Sequence, residues 1–133
     1  MRGKSAASAA FLRATTAVGY STQGIAGGKI NCVALQFSDV DGSGDTASIA
    51  TLSTSGLTAG SFSTMTTDAP EIMFYNGVGY DHYYYITDAY DAGGNEVTAW
   101  ADSNGDASTG AIAICGQAFW AKSSSAGTLT FSL

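Results

Sequence analysis

The amino-acid sequence predicts an all-β fold, an antiparallel β-sandwich or jelly-roll-like single domain, on three observations. Gly or a Ser/Thr cluster interrupts nearly every stretch before a helical apolar stripe can develop. Short runs rich in β-branched and aromatic residues recur at close spacing with turn residues between them. The length, 133 residues, suits one core and not two.

Taken in order, the first strand is expected over residues 12–20, with Leu12, Ala14, Val18 and Tyr20 on one face. Gly27-Gly28 turns the chain into a strand over 29–37, where Val33, Leu35 and Phe37 alternate with Cys32, Ala34 and Gln36. Residues 38–46 read as an acidic, Gly-rich loop. Ile49, Leu52 and Leu57 mark a short strand or a single helical turn ending near Gly56. A polar connection over 61–70 carries the only proline, Pro70. The clearest hairpin joins 71–75 to 80–86 through Asn76-Gly77-Val78-Gly79, since Asn-Gly supplies the positive φ angles of a tight turn. A turn at Gly93-Gly94-Asn95 leads to a strand over 97–101, a loop over 102–110 and a strand over 111–120. Residues 123–127 turn the chain into a last strand over 128–133. The sum is about seven to nine strands. The sandwich domain covers 12–133, and 1–11 form a flexible or exchanged N-terminal extension.

Composition narrows the function classes. With 45% apolar residues the chain can bury a core, so disorder is not expected, while only 12% of residues are charged. Ser, Thr, Gly and Ala fill the surface instead, a composition common in secreted β-proteins. Net charge is −6, and Lys29 and Lys122 are the only basic residues after position 13, against eleven carboxylates. Without a basic patch, binding to nucleic acid or to an anionic membrane surface is not expected. No apolar run reaches the length of a membrane span. Met1-Arg2-Gly3-Lys4 looks like the charged start of a signal peptide, and residues 5–10 like a small-residue cleavage region, but the apolar segment between them is missing. That start reads either as a trimmed export signal or as an ordinary flexible tail.

Two cysteines, Cys32 and Cys115, fall in separate strand-like runs. They could be bridged, which would stabilise the fold by roughly 4 kcal/mol in the chain-entropy model, or they could be two buried thiols. Asp39, Asp41 and Asp45, with Gly42 and Gly44 between them, place oxygen ligands like the start of a calcium loop. A closed loop of that type needs a bidentate Glu at its end, and Ala50 stands there instead. A calcium site would therefore have to borrow ligands, for instance from Asp102, Asn104 and Asp106 or from Asp88 and Asp91. The bland reading of these residues is hydrophilic turns.

The densest chemical feature is aromatic: Tyr75, Tyr80, Tyr83, Tyr84, Tyr85 and Tyr90, with Trp100 and Trp120. Tyr75, Tyr80, Tyr83, Tyr85 and Trp100 are the candidate binding or interface residues, because exposed tyrosines stack on sugar rings and are enriched at protein interfaces. The bland alternative is cross-strand packing. His82, the only histidine, adjoins Asp81, but no nucleophile elbow or other positioning motif accompanies it. One histidine and two cysteines also leave an ordinary zinc site without ligands. His82 therefore reads as a surface residue of the hairpin.

The ordered string Val18-Gly19-Tyr20, residues 29–37, Asp39 to Asp45, Tyr75 to Tyr85, Gly116 to Trp120 and Thr128 to Phe131 resembles a family of secreted all-β proteins of unassigned activity. That family is common in Verrucomicrobia and related bacteria. The resemblance covers nearly the whole chain after about residue 17, on short motifs. It implies export, a surface-associated life and an all-β fold, and it carries over no catalytic residue.

The resulting expectation is a non-enzymatic, extracellular or cell-surface structural protein that associates with copies of itself. A filament or surface layer built by strand addition would suit it. No cofactor is expected beyond the calcium just described. The alternative is a carbohydrate-binding module using the tyrosine-rich hairpin, which would make a polysaccharide the partner, and a hydrolase ranks third.

Overall fold

The protein is described by a computed structural model covering residues 20–34, 46–49, 52–108, 112–114 and 117–132. Within them lie ten strands: β1 (Tyr20–Ile25), β2 (Lys29–Ala34), β3 (Thr46–Ser48), β4 (Ser53–Ser55), β5 (Glu71–Tyr75), β6 (Tyr80–Tyr90), β7 (Glu96–Ala101), β8 (Ile112–Ile114), β9 (Ala118–Ser123) and β10 (Gly127–Ser132). They form a three-stranded sheet ordered β1-β10-β4, a five-stranded sheet ordered β2-β9-β5-β6-β7, and the small pair β3-β8. All the strand pairs are antiparallel. The expected β-sandwich is the fold observed.

Side chains alternate across each strand, and the two larger sheets use that alternation to build one core. The three-stranded sheet contributes Ile25, Leu129 and Phe131, and the five-stranded sheet contributes Val33, Ile72, Phe74, Trp100, Phe119 and Ala121. Aromatic rings cross the gap between sheets. Phe119 meets Phe131 edge-on at 5.4 Å between ring centroids, and within its own sheet it packs on Phe74 at 4.8 Å between centroids. Tyr83 and Tyr85 border this core from β6, against Phe74 and Trp100 respectively.

A second, smaller core forms on the opposite face of the five-stranded sheet. There Ile86, Ala89 and Ala101 are fully buried beneath Ala69, with Met65 and Ala107 packed at the margin. The covering segment turns through a short 3-10 helix, Phe62–Thr64, and is tied down by main-chain bonds. The Gly60 N–H donates to the Tyr85 carbonyl and the Thr87 N–H donates to the Gly60 carbonyl, both at 3.0 Å. One extra residue bulges from β6 between Ile86 and Ala89, and there the Asp88 carboxylate accepts from the Phe62 N–H at 2.8 Å.

Several boundaries differ from the sequence reading. The first described strand begins at Tyr20, where the expected one closes, and residues 12–19 lie outside the described residues. The single strand expected over 111–120 is divided between β8 and β9, which belong to different sheets. The β5–β6 loop keeps four residues between the paired Tyr75 and Tyr80, and only Gly77 has positive φ, at 100°. Asn76 serves the turn through its side chain instead, its Oδ1 accepting from the N–H groups of Val78 and Gly79. The last strand, β10, is central in its sheet, flanked by β1 along its length and by β4 at Thr128 to Thr130.

Because Phe119 touches both Phe74 and Phe131, truncating it opens a cavity where the sheets meet. Phe119→Ala is expected to lower unfolding free energy by about 3–5 kcal/mol in denaturant titration. A loss below about 1 kcal/mol would mean that this aromatic bridge does not hold the sheets together.

Candidate functional site

The two outer faces of the sandwich differ in chemistry. On the three-stranded sheet the outward positions are Thr22, Ser53, Ser55, Thr128 and Thr130, and the Thr22 and Thr130 hydroxyls pair across strands at 3.0 Å. On the five-stranded sheet the same alternation places Ile30 and Cys32 of β2, Trp120 and Lys122 of β9, Glu71, Met73 and Tyr75 of β5, and Tyr80 and His82 of β6 outward. Cys32, Trp120, Met73 and His82 stand in one cross-strand row. Ile30 is 64% exposed, Tyr75 56% and Trp120 39%. Tyr80 is exposed beside them, Val78 stands at the adjoining hairpin tip, and the exposed Phe62 and Tyr90 lie elsewhere.

At the centre of this face sits a charge cluster that the sequence reading did not anticipate. Glu71 is 4% exposed, and its Oε1 accepts from His82 Nδ1 while its Oε2 pairs with Lys122 Nζ at 2.8 Å. With Nδ1 turned to the carboxylate, a neutral His82 carries its proton there and leaves Nε2 as an acceptor. The His82 ring stacks on Tyr84, 11° from parallel at 6.3 Å between centroids. Burial raises the Tyr84 phenol above its ordinary value, the Glu71 charge raises it further, and Lys122 opposes them. Burial, with the charges of Asp81 and Asp102, likewise raises Tyr83. A shallow cavity of about 240 Å³ opens beside Lys122 and Ile30, walled by Thr67, Asp68 and Ala69 of the covering segment.

The five tyrosine-region candidates separate into two sets. Tyr75 and Tyr80 are the exposed pair, their rings 5.5 Å apart at the hairpin end, with the Tyr75 hydroxyl donating to the Gly77 carbonyl at 2.9 Å. Tyr83, Tyr85 and Trp100 point inward, and Trp100 is 3% exposed. These three are not part of the exposed aromatic face, because the register with β5 gives them the core side of β6 and β7. Trp120, treated in the sequence as one aromatic among many, belongs to the exposed set.

Asp39, Asp41 and Asp45 lie outside the described residues. Of the residues from which a calcium site would borrow, Asp91 and Asp102 already cap turns. Asp91 Oδ1 accepts from the N–H groups of Gly93 and Asn95, which lowers its carboxyl below the ordinary value, and Asp102 Oδ1 accepts from Asn104 and Asp106. No group of three or more metal-ligating side chains gathers among the described residues. Cys32 is an exposed free thiol on β2, and Cys115 lies outside the described residues. Among the described residues no helix is long and apolar enough to cross a membrane.

The raised Tyr84 phenol makes a directional prediction. The stability associated with it is present below its ordinary value of 10.0 and is lost as pH rises through the higher folded value. Lys122→Met removes the one opposing charge, so Tyr84 should ionise at still higher pH by phenolate absorbance, whereas Glu71→Gln should bring it down. Lys122→Met should also cost about 1–2 kcal/mol, because Glu71 keeps only His82 as a partner. Unmoved titration curves in both variants would contradict the cluster. No family model, curated protein or solved structure matches this chain.

Proposed function

We propose that the protein is an extracellular structural domain that associates with copies of itself through the five-stranded sheet, at the edge strand β2 and the aromatic outer face beside it. One observation carries this reading: β2 is a terminal strand with no strand partner on its far side among the described residues, and it displays Ile30 and Cys32 opposite Lys122 and Trp120 of β9. An open edge is a template for another strand, and natural β-proteins protect such edges with lysines, prolines or bulges. Within β2 itself, Lys29 at the first position is the one lysine, and the strand holds no proline.

The surroundings support a second copy as the occupant. The apolar face continues from β2 across β9 and β5 to Tyr80, so a subunit joined at the edge can also cover the face. Glu71, the most buried charge there, is already neutralised by Lys122 and bonded to His82, so little unpaired charge would be desolvated. The opposite, hydroxyl-coated face suits contact with solvent. Cell-surface or extracellular localisation agrees with the low charge and with the resemblance noted in the sequence. The net charge of −6 opposes association at long range, so screening should favour it.

Light scattering on the full chain should show particle mass rising with protein concentration and with salt. Ile30→Lys, a change at an exposed position, should hold the chain monomeric under the same conditions with an unchanged melting temperature. A wild-type chain that stays monomeric throughout, or an Ile30→Lys chain that assembles like wild type, would overturn the reading.

A further inference from the structure

Away from the outer face, a cavity of about 440 Å³ lies between the sheets, on the side where β4 and β7 form their edges. Its walls include Ile49 and Leu52, the hydroxyl-bearing Thr54 and Thr98, and the aromatic rings of Tyr85 and Trp100. Tyr85 and Trp100 are packed together, with ring centroids 5.4 Å apart and planes tilted by 34°. Trp100 is 3% exposed, and its Nε1 is the only buried side-chain nitrogen or oxygen among the described residues without a hydrogen-bond partner. A buried donor left unmatched is destabilising, and an acceptor that reached it would recover that loss.

We infer that this cavity is a binding site for an uncharged saccharide. An indole N–H only donates, so the occupant must bring an acceptor. No carboxylate, ammonium, guanidinium or imidazole stands among the described lining residues, so a charged occupant would be desolvated without compensation. The walls combine aromatic and aliphatic surface with threonine hydroxyls that donate and accept. A sugar ring matches both halves, with C–H faces for the rings and hydroxyls for the indole and the threonines. An acyl chain would leave the indole and the hydroxyls unanswered. The volume falls within the usual range of ligand pockets, about 300–1,000 Å³. The site is separate from the surface proposed for self-association and does not depend on it.

The test follows the Trp100 indole N–H resonance of the full-length protein while a panel of neutral, amino and acidic oligosaccharides is added. Neutral sugars should move the Trp100 signal and leave that of Trp120 in place. Trp100→Phe, which keeps a ring and removes the donor, should weaken binding of the same sugar by about tenfold or more. Thr54→Val should weaken it by less and should melt like the wild type, so it reports on the site even if Trp100→Phe destabilises the fold. A Trp100 resonance indifferent to every neutral sugar, or responsive only to acidic ones, would overturn the inference. So would a resonance that shifts only as the protein itself is concentrated, because the occupant would then be another copy of the chain.

Discussion

The Glu71 carboxylate straps β5 to both of its neighbours, one oxygen to His82 on β6 and the other to Lys122 on β9. That double attachment fixes the register in which Ile72 stands between Tyr83 and Ala121. A slip of one residue would turn Phe74 toward solvent and drive Glu71 into the aromatic core, so the charge cluster and the core enforce the same pairing. The arrangement of both faces follows from it. Phe74, Phe119 and Trp100 meet the three-stranded sheet, and Met73, Tyr75, Trp120 and His82 are left outside. The site and the fold therefore share one physical cause.

The outer face is divided into two territories. One half is closed by the segment that packs Ala69 and Met65 over Ile86 and Ala101. The other half, from Ile30 to Tyr80, has no such cover among the described residues. The exposed half therefore lies beside β2, which has no strand partner on its far side among the described residues, the pairing of features on which the proposed strand addition rests. The ion cluster lies at the boundary of the two territories and joins the exposed patch to the covered part of the sheet. Tyr84 belongs to both, buried against Ala101 on one side and stacked on His82 on the other.

Much of the fold was legible in the sequence because strand alternation and turn chemistry are local signals. The β5 bounds were anticipated, as was the turn at Gly93 to Asn95, where Asp91 holds the backbone. The strand over 80–86 was recognised but not its continuation to Tyr90, because a bulge interrupts the period-two pattern. The site was legible only in part. Which tyrosines face outward depends on the partner of β6, and the parity of Tyr83 and Tyr85 alone does not say which face is the core. Glu71, Lys122 and Trp120 were missed for the same reason: β5 and β9 lie far apart in the chain, and their register carries no local mark. Glu71 shares its parity with Met73 and Tyr75, a hint that becomes informative once the adjacent strand is known.

If copies join at β2, the backbone amides of that strand facing away from β9 change state on association and nothing else on the sheet edge needs to. Amide hydrogen exchange on the full-length protein, compared between dilute and concentrated solution, tests this directly. The outward amides of β2 should exchange rapidly when dilute and become protected when concentrated, while those of β7 stay unaltered. Protection of β2 already complete in the dilute chain, or exchange equally fast at both concentrations, would contradict it.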